Sequence, residues 1–182
     1  MLLMRSNSLI GQQVRLTDLF PPGKGGGRGV EYGFKGKGIL IHLIVDAKGM
    51  PLSFSVTAAN GDERSEAKTN TEKIRITHGK PGRPKRYPKK IAGDKGFDSK
   101  DLRDHFRKKG IKPEIPKRNW KAKPQLGRPM TKTVERYVVE RAFAWIQRKF
   151  RRVAIRWERL PECFEGFVAL AMAMLWVQKI VG

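Results

Sequence analysis

Three patterns in this sequence predict an α/β fold, a mixed sheet flanked by helices. Residues 39–45 (ILIHLIV) form an apolar run, after which Leu52, Phe54 and Val56 alternate with Ser53, Ser55 and Thr57. An apolar run and a period-two segment joined by a tight turn have the pattern of a hairpin. Residues 89–115 then read as strand, helix, strand, and two helical stretches follow toward the C-terminus. Strands followed by a strand–helix–strand unit and helices suggest one sheet with helices packed on it.

Each element has its own signal. VRLTDLF (14–20) reads as a strand that stops at Pro21-Pro22-Gly23. Asp46-Ala47-Lys48-Gly49 has Asp and Gly where a tight turn prefers them, so Asp46 is read as a turn former rather than a ligand. Asn60 with Glu63 three residues on resembles a capping box that opens a helix. Lys89–Gly93 reads as a short strand with Asp94 at its tip. Ser99 caps a helix with Leu102, His105 and Phe106 on one face, and Gly110 stops it. A strand over 111–115, a helix over 133–150 and a buried C-terminal helix begun by Pro161 complete the prediction. The apolar run 166–177 (GFVALAMAMLWV) is shorter than the roughly 20 residues a membrane span needs.

Composition narrows the partners. The 182 residues carry 39 Lys+Arg against 17 Asp+Glu, a formal charge of +22. That excess favours a polyanion, nucleic acid before an acidic membrane surface. The sole cysteine, Cys163, excludes an intrachain disulfide and a cysteine-based zinc site, and fits a reducing compartment. His42, His78 and His105 show no ligand spacing, and His42 reads as a packed core histidine.

The stretch PPGKGGG (21–27) has the vocabulary of a phosphate-binding loop. A P-loop needs Ser or Thr after its Lys, but Lys24 is followed by Gly25. A dinucleotide loop needs a third Gly where Arg28 stands, and a helix after it, whereas this run leads into a strand. A flexible turn between two strands is the better reading, with Lys24, Arg28, Lys35 and Lys37 available to phosphates. The acids suggest different chemistry. Asp94 ends a strand, with a further acid at Asp98, and Glu140 lies on a helix beside Val139, Phe143 and Ile146. Carboxylates brought together in a basic protein suit Mg²⁺-dependent chemistry on phosphodiesters, which needs no His or Cys ligands.

AGDKGFDSKDLRDHFRKKGIKPEIPKRN (92–119), ERYVVERAFAWIQRKFRRVAIRWER (135–159) and LFPPGKGGGRGVEYGFKGKGILIHLIVDAKGMPLSFSVTAANGDER (19–64) together resemble bacterial insertion-sequence DDE transposases of the IS4-like superfamily. The resemblance runs from about residue 14 to the C-terminus, with the blocks in the family's order. It implies an RNase H-like fold, with residues 14–182 as the catalytic domain, basic loops at 77–90 and 116–132, and residues 1–13 a truncated N-terminal remnant. It implies three carboxylates holding Mg²⁺ or Mn²⁺, of which Asp94 matches the second and Glu140 the third. Arg136 matches the Arg of the helix signature, while Thr133 and Gln147 stand where the family has Tyr and Lys.

The first carboxylate departs from the pattern. Similar proteins read Asp-Gly, one residue, then Phe before the Pro-Gly-Lys loop, and here Thr17 and Asp18 occupy the Asp-Gly positions. A one-residue offset on a strand turns a side chain to the other face. Either a bulge restores Asp18 to the site, or this copy lacks its first ligand. The implied activity is DNA transposition: metal-dependent strand cleavage and strand transfer on transposon ends and target DNA. A homodimer on DNA and a bacterial cytoplasmic, nucleoid-associated location go with it. Lys95, Arg141, Arg148, Lys149, Arg151 and Arg152 join Lys24, Arg28, Lys35, Lys37 and Arg136 as expected DNA contacts. In 145–159 the aromatics Trp145, Phe150 and Trp157 are expected in the core. A non-catalytic DNA-binding remnant and a stand-alone RNase H-like nuclease are the competing readings.

Overall fold

The computed structural model describes residues 13–74, 87–118 and 136–181, except for the side chains of residues 136–139, 141 and 142. Most of the expected basic loops, His78, and the side chains of Arg136 and Arg141 lie outside the described residues. The sheet is built from β1 (Gln13–Leu19), β2 (Glu31–Gly33), β3 (Gly36–Val45), β4 (Pro51–Ala58), β5 (Lys90–Ala92) and β6 (Lys112–Glu114). β3 lies between β4 and β1 and is antiparallel to both, whereas β1, β5 and β6 run parallel. This mixed order, closed by helices, is an RNase H-like arrangement. The helices are α1 (Glu63–Lys73), α2 (Lys100–Lys108), α3 (Arg136–Lys149), α4 (Arg151–Ala154) and α5 (Pro161–Val181).

The two faces of the sheet bury different helices. On one face Val14, Leu16, Ile44 and Ile91 pack with Ala67 of α1 and with Leu102 and Phe106 of α2. On the other, Leu19, Ile39, Ile41 and Leu43 pack with Ile146 of α3 and with Phe164, Val168 and Leu175 of α5. Alternation along β1 and β3 makes this division, since successive side chains point to opposite faces. The register of β1 against β3 is unbroken from Arg15↔Val45 to Leu19↔Ile41, so no bulge intervenes at Asp18. The irregularity in this hairpin lies at Ile44/Val45, beside the turn. There Asp46 accepts backbone N–H bonds from Lys48 and Met50 at 2.8 Å each, the turn-forming role expected of it.

Several expectations need correction. The α1 cap is Asp62, whose carboxylate accepts from the N–H groups of Arg64 and Ser65, so Asn60 does not begin the helix. The helix expected to run to residue 150 ends at Lys149, and Phe150 stands at the cap position before the short α4. Trp157 is exposed, unlike Trp145 and Phe150, which pack against the core. α5 is 21 residues long and holds an 18-residue stretch of mean hydropathy 1.5, enough by length and composition to cross a membrane. It is not a fully buried helix: Phe164, Val168, Ala171, Met172 and Leu175 are buried, while Leu170, Met174, Val177 and Ile180 are exposed.

The glycine-rich loop is tied down rather than loose. Gly25 donates its N–H to the Arg156 carbonyl at 3.2 Å, and Arg156 donates its own to Pro22 at 2.9 Å. A Cβ on Gly25 would lie 1.9 Å from the Trp157 carbonyl oxygen, so this position is glycine because another backbone occupies the space. Arg156 is buried, and its guanidinium donates to the carbonyls of Arg28, Glu158 and Arg159.

Candidate active site

The carboxylate of Asp18 turns toward the face that α1 covers. It pairs across the strands with His42, and its Oδ1 lies 2.6 Å from Nδ1 of His42. Both side chains are nearly enclosed, at 11% and 3% exposure. His42 Nε2 in turn lies 2.7 Å from Thr57 Oγ1, and the Thr57 hydroxyl donates to the Ala58 carbonyl. The His42 ring thus bridges Asp18 and Thr57. Two lone pairs would repel at 2.6 Å, so the Asp18–His42 contact holds a proton. His42 is therefore a bonded partner of Asp18, beyond the packed core histidine expected from its strand. Asn70 of α1 donates to the His42 carbonyl and to Ser55 Oγ, which fixes the same column of polar groups from above.

Thr17 faces the other way. Its strand partner is Leu43, on the face packed against α3 and α5. Adjacent residues of β1 thus serve opposite sides of the sheet.

Asp94 follows β5 and is exposed; its Oδ1 accepts the Gly96 N–H at 2.7 Å and caps a 3-10 turn, Lys95–Phe97. A third acid comes to the same place from α1. Glu63 is the first residue of that helix, and its neighbour Arg64 donates to the Gly96 carbonyl at 3.1 Å. A Cβ on Gly96 would lie 2.9 Å from Asp94 Oδ1 and 3.2 Å from Glu63 Oε2, so the absent side chain opens the space between two carboxylates. Burial pushes the Asp18 carboxyl above its ordinary value, and the charge of Asp94 adds to this, while His42 and Lys35 oppose it. Burial likewise raises Glu63, reinforced by Asp18 and then Asp94. In the sequence Glu63 carries only the signal of a helix start, and its place beside Asp94 comes from the fold.

Glu140 is exposed on α3, whose Phe143 and Ile146 pack on the face that Thr17 looks toward. Asp98 is engaged elsewhere. Burial alone raises its carboxyl, but bonds from the Arg118 N–H and the Arg103 guanidinium outweigh this and hold it below the ordinary value. The basic residues are scattered. Lys24, Lys35, Lys37 and Lys95 are exposed around the loops at the carboxylate end of the sheet, and the Lys35 charge reaches Asp18 and Glu63. Arg28 pairs with Glu162, and Arg152 with Glu158 at 2.9 Å. Arg148 and Arg151 are exposed. Lys149 bonds Gln178 and helps line a cavity of about 350 Å³ with Lys48, Trp145 and Lys179, at the sheet end away from Asp18.

An all-carboxylate donor set, with both His42 nitrogens already used, suits a hard cation such as Mg²⁺. Among the described residues no group of three His, Cys, Asp or Glu converges on a single point that could hold an ion. Pairs of carboxylates remain, and Mg²⁺ is usually bound by one or two carboxylates with water and substrate phosphates filling the other positions.

The sequence profile of the Transposase DDE domain matches residues 15–176. This chain belongs to the DDE transposase family. It is 33% identical over 134 residues to the protein assigned as the transposase for insertion sequence element IS402 of Burkholderia cepacia, an overlap of 74% of this chain and 60% of that relative. The chain thus matches about three fifths of the length of this relative. Among solved structures, it is 16% identical to the piggyBac transposase in its synaptic complex with hairpin DNA, with a TM-score of 0.45 over 66% of this chain and 27% of that one. A chain of the simian T-cell lymphotropic virus intasome, in complex with PP2A regulatory subunit B56 gamma, is also 16% identical, with a TM-score of 0.47 over 92% of this chain and 50% of its own. DDE transposases as a family use divalent metal ions.

Proposed function

We propose that residues 14–182 form the catalytic domain of a transposase that cuts and joins DNA strands, with Asp18 and Asp94 holding Mg²⁺ or Mn²⁺. The observation that carries this reading is that Asp94 and Glu63 flank Gly96 at one end of the sheet, within electrostatic reach of Asp18, in a chain of charge +22. When bound, the cation supplies Lewis-acid activation of the attacking and leaving oxygens at phosphorus. The protein's own part is positional. His42 holds Asp18 in one orientation, Gly96 keeps the approach between Asp94 and Glu63 open, and Lys35 and Lys95 offset phosphate charge at the rim. Action on transposon ends and target DNA, as a homodimer in the bacterial nucleoid, follows from the same reading.

Two residues compete to be the third carboxylate. The family pattern points to Glu140, whereas proximity favours Glu63, whose carboxyl feels both Asp18 and Asp94. Nicking of supercoiled plasmid in Mg²⁺ tests both claims. Asp94→Ala is expected to abolish it, and Glu63→Gln to reduce it far more than Glu140→Gln. Metal-dependent nicking that survives both Asp18→Ala and Asp94→Ala rejects the site. If the wild-type chain shows salt-sensitive DNA binding and no nicking, it is a non-catalytic DNA-binding remnant.

A further inference from the structure

The β2–β3 hairpin projects from the sheet at the carboxylate end. Its register runs Glu31↔Gly38, Tyr32↔Lys37, Gly33↔Gly36, which leaves Phe34 and Lys35 at the tip. Phe34 is 106% exposed and Tyr32 74% exposed. A single exposed aromatic is ordinary on a protein surface, but two beside Lys35 and Lys37 on one tip make a combined apolar and cationic patch. Lys37 Nζ sits 5.7 Å from the centre of the Tyr32 ring, so the Tyr ring already carries a cation, while the Phe34 ring points outward from the tip.

The tip is held in place. A Cβ on Gly33 would fall 2.2 Å from the Ala59 carbonyl oxygen, so the hairpin is pressed directly onto the β4–α1 junction that delivers Glu63. Gly36, with φ of +113°, makes the turn in a region that side chains rarely adopt. Ala59 also donates its N–H to the Gly38 carbonyl at 3.3 Å. The electrostatic reach of Lys35 to Asp18 and Glu63 fits the same placement. A large apolar ring held in water, on a braced tip beside cations, is suited to a flat apolar partner carrying negative charge. An unpaired nucleotide has that chemistry: a base with a π face, attached to a phosphate.

We propose that Phe34 is a base-stacking residue that engages an unpaired nucleotide of DNA next to the carboxylates, with Lys35 and Lys37 on the adjoining phosphates. The inference rests on the reading of DNA as substrate, and it adds a preference for melted or single-stranded DNA at the site. Because Phe34 makes no core contribution, Phe34→Ala leaves the fold intact. It is expected to weaken binding of a short oligothymidine by about tenfold, in line with loss of one stacked base, and to leave duplex affinity within about twofold. Phe34→Trp restores the single-strand affinity. Oligonucleotides containing 5-iododeoxyuridine are expected, on irradiation, to cross-link the tryptic peptide 29–35 (GVEYGFK).

Equal loss of single-strand and duplex binding, cross-links confined to other peptides, or a change in self-association without a change in DNA binding overturns the proposal. The outcome is separable from the fate of the active-site reading. Asp94-dependent nicking with a silent Phe34 rejects stacking alone. A Phe34 cross-link on a chain that never nicks DNA rejects the active site and leaves stacking in place.

Discussion

Thr17 and Asp18 are neighbours in sequence and look at different halves of the molecule. The face below Asp18 carries a polar column, Asp18–His42–Thr57 with Ser55 and Asn70, and the charges of Asp94 and Glu63 reach it. The face below Thr17 is largely apolar, with Leu43, Ile41 and Leu19 against α3 and α5 beside the buried Arg15, and Glu140 stands on α3. The family pattern asks for a carboxylate at position 17, on Glu140's side. This chain has one at 18, on Glu63's side. The comparison teaches that moving an acid by one residue along a strand changes which helices it faces.

The largest expected effect comes from moving the acid back. In the double variant Thr17→Asp, Asp18→Gly, nicking is expected to lose its dependence on Glu63 and become sensitive to Glu140→Gln. Unaltered dependence on Glu63 would break the comparison of faces. Next in size are two substitutions at adjacent positions of β3. His42→Ala leaves the enclosed Asp18 without its partner and is expected to cost about 3 kcal/mol in urea unfolding at neutral pH, most of it recovered when Asp18→Asn is added. Leu43→Ala empties the opposite face at a similar cost of about 3 kcal/mol. Its cost is expected to persist unchanged in the Asp18→Asn background, which separates the two faces by a double-mutant cycle.

The smallest effect is a pH dependence. Asp18 and Glu63 have carboxyls raised in the folded state, so the fold binds more protons than the unfolded chain above the ordinary values of 3.8 and 4.5. Their contribution to stability is present below those values and is lost as pH rises through the raised ones. Asp18→Asn and Glu63→Gln are therefore expected to raise Tm at neutral pH and to have little effect near pH 3.5. A divalent cation should narrow the gap in wild type by favouring the ionised acids. Thermal melts of the variants across pH, with and without Mg²⁺, measure this.

Much of the fold was legible because local signals agreed with it. The 39–57 hairpin, the turn at Asp46, the Ser99 cap and the buried Leu102–Phe106 stripe all follow from periodicity and capping. What could not be read depended on distant parts of the chain meeting. Arg156 looks in sequence like one more cation in a basic helix, yet it is buried and bonded to three carbonyls. The exposed Leu170, Met174, Val177 and Ile180 of α5 are as apolar as the residues it buries. Glu63 sits in a helix start whose position next to Asp94 is set by packing, through Arg64 and Gly96. The strand holding Asp18 was plain, but its facing was decided by its register against β3.

The clasp between the glycine loop and Arg156 has a consequence for synthesis. Gly25 and Arg28 bond to 156–159, so although Gly23 can pair early with Lys37, the rest of the loop stays unanchored until residue 159 has been made. Contacts of such long sequence separation form late and slowly. The loop leads directly from the strand of Asp18 to the hairpin of Phe34. A nascent chain that stops short of residue 156 would therefore carry Asp18 and Asp94 with most of the neighbouring loop unanchored.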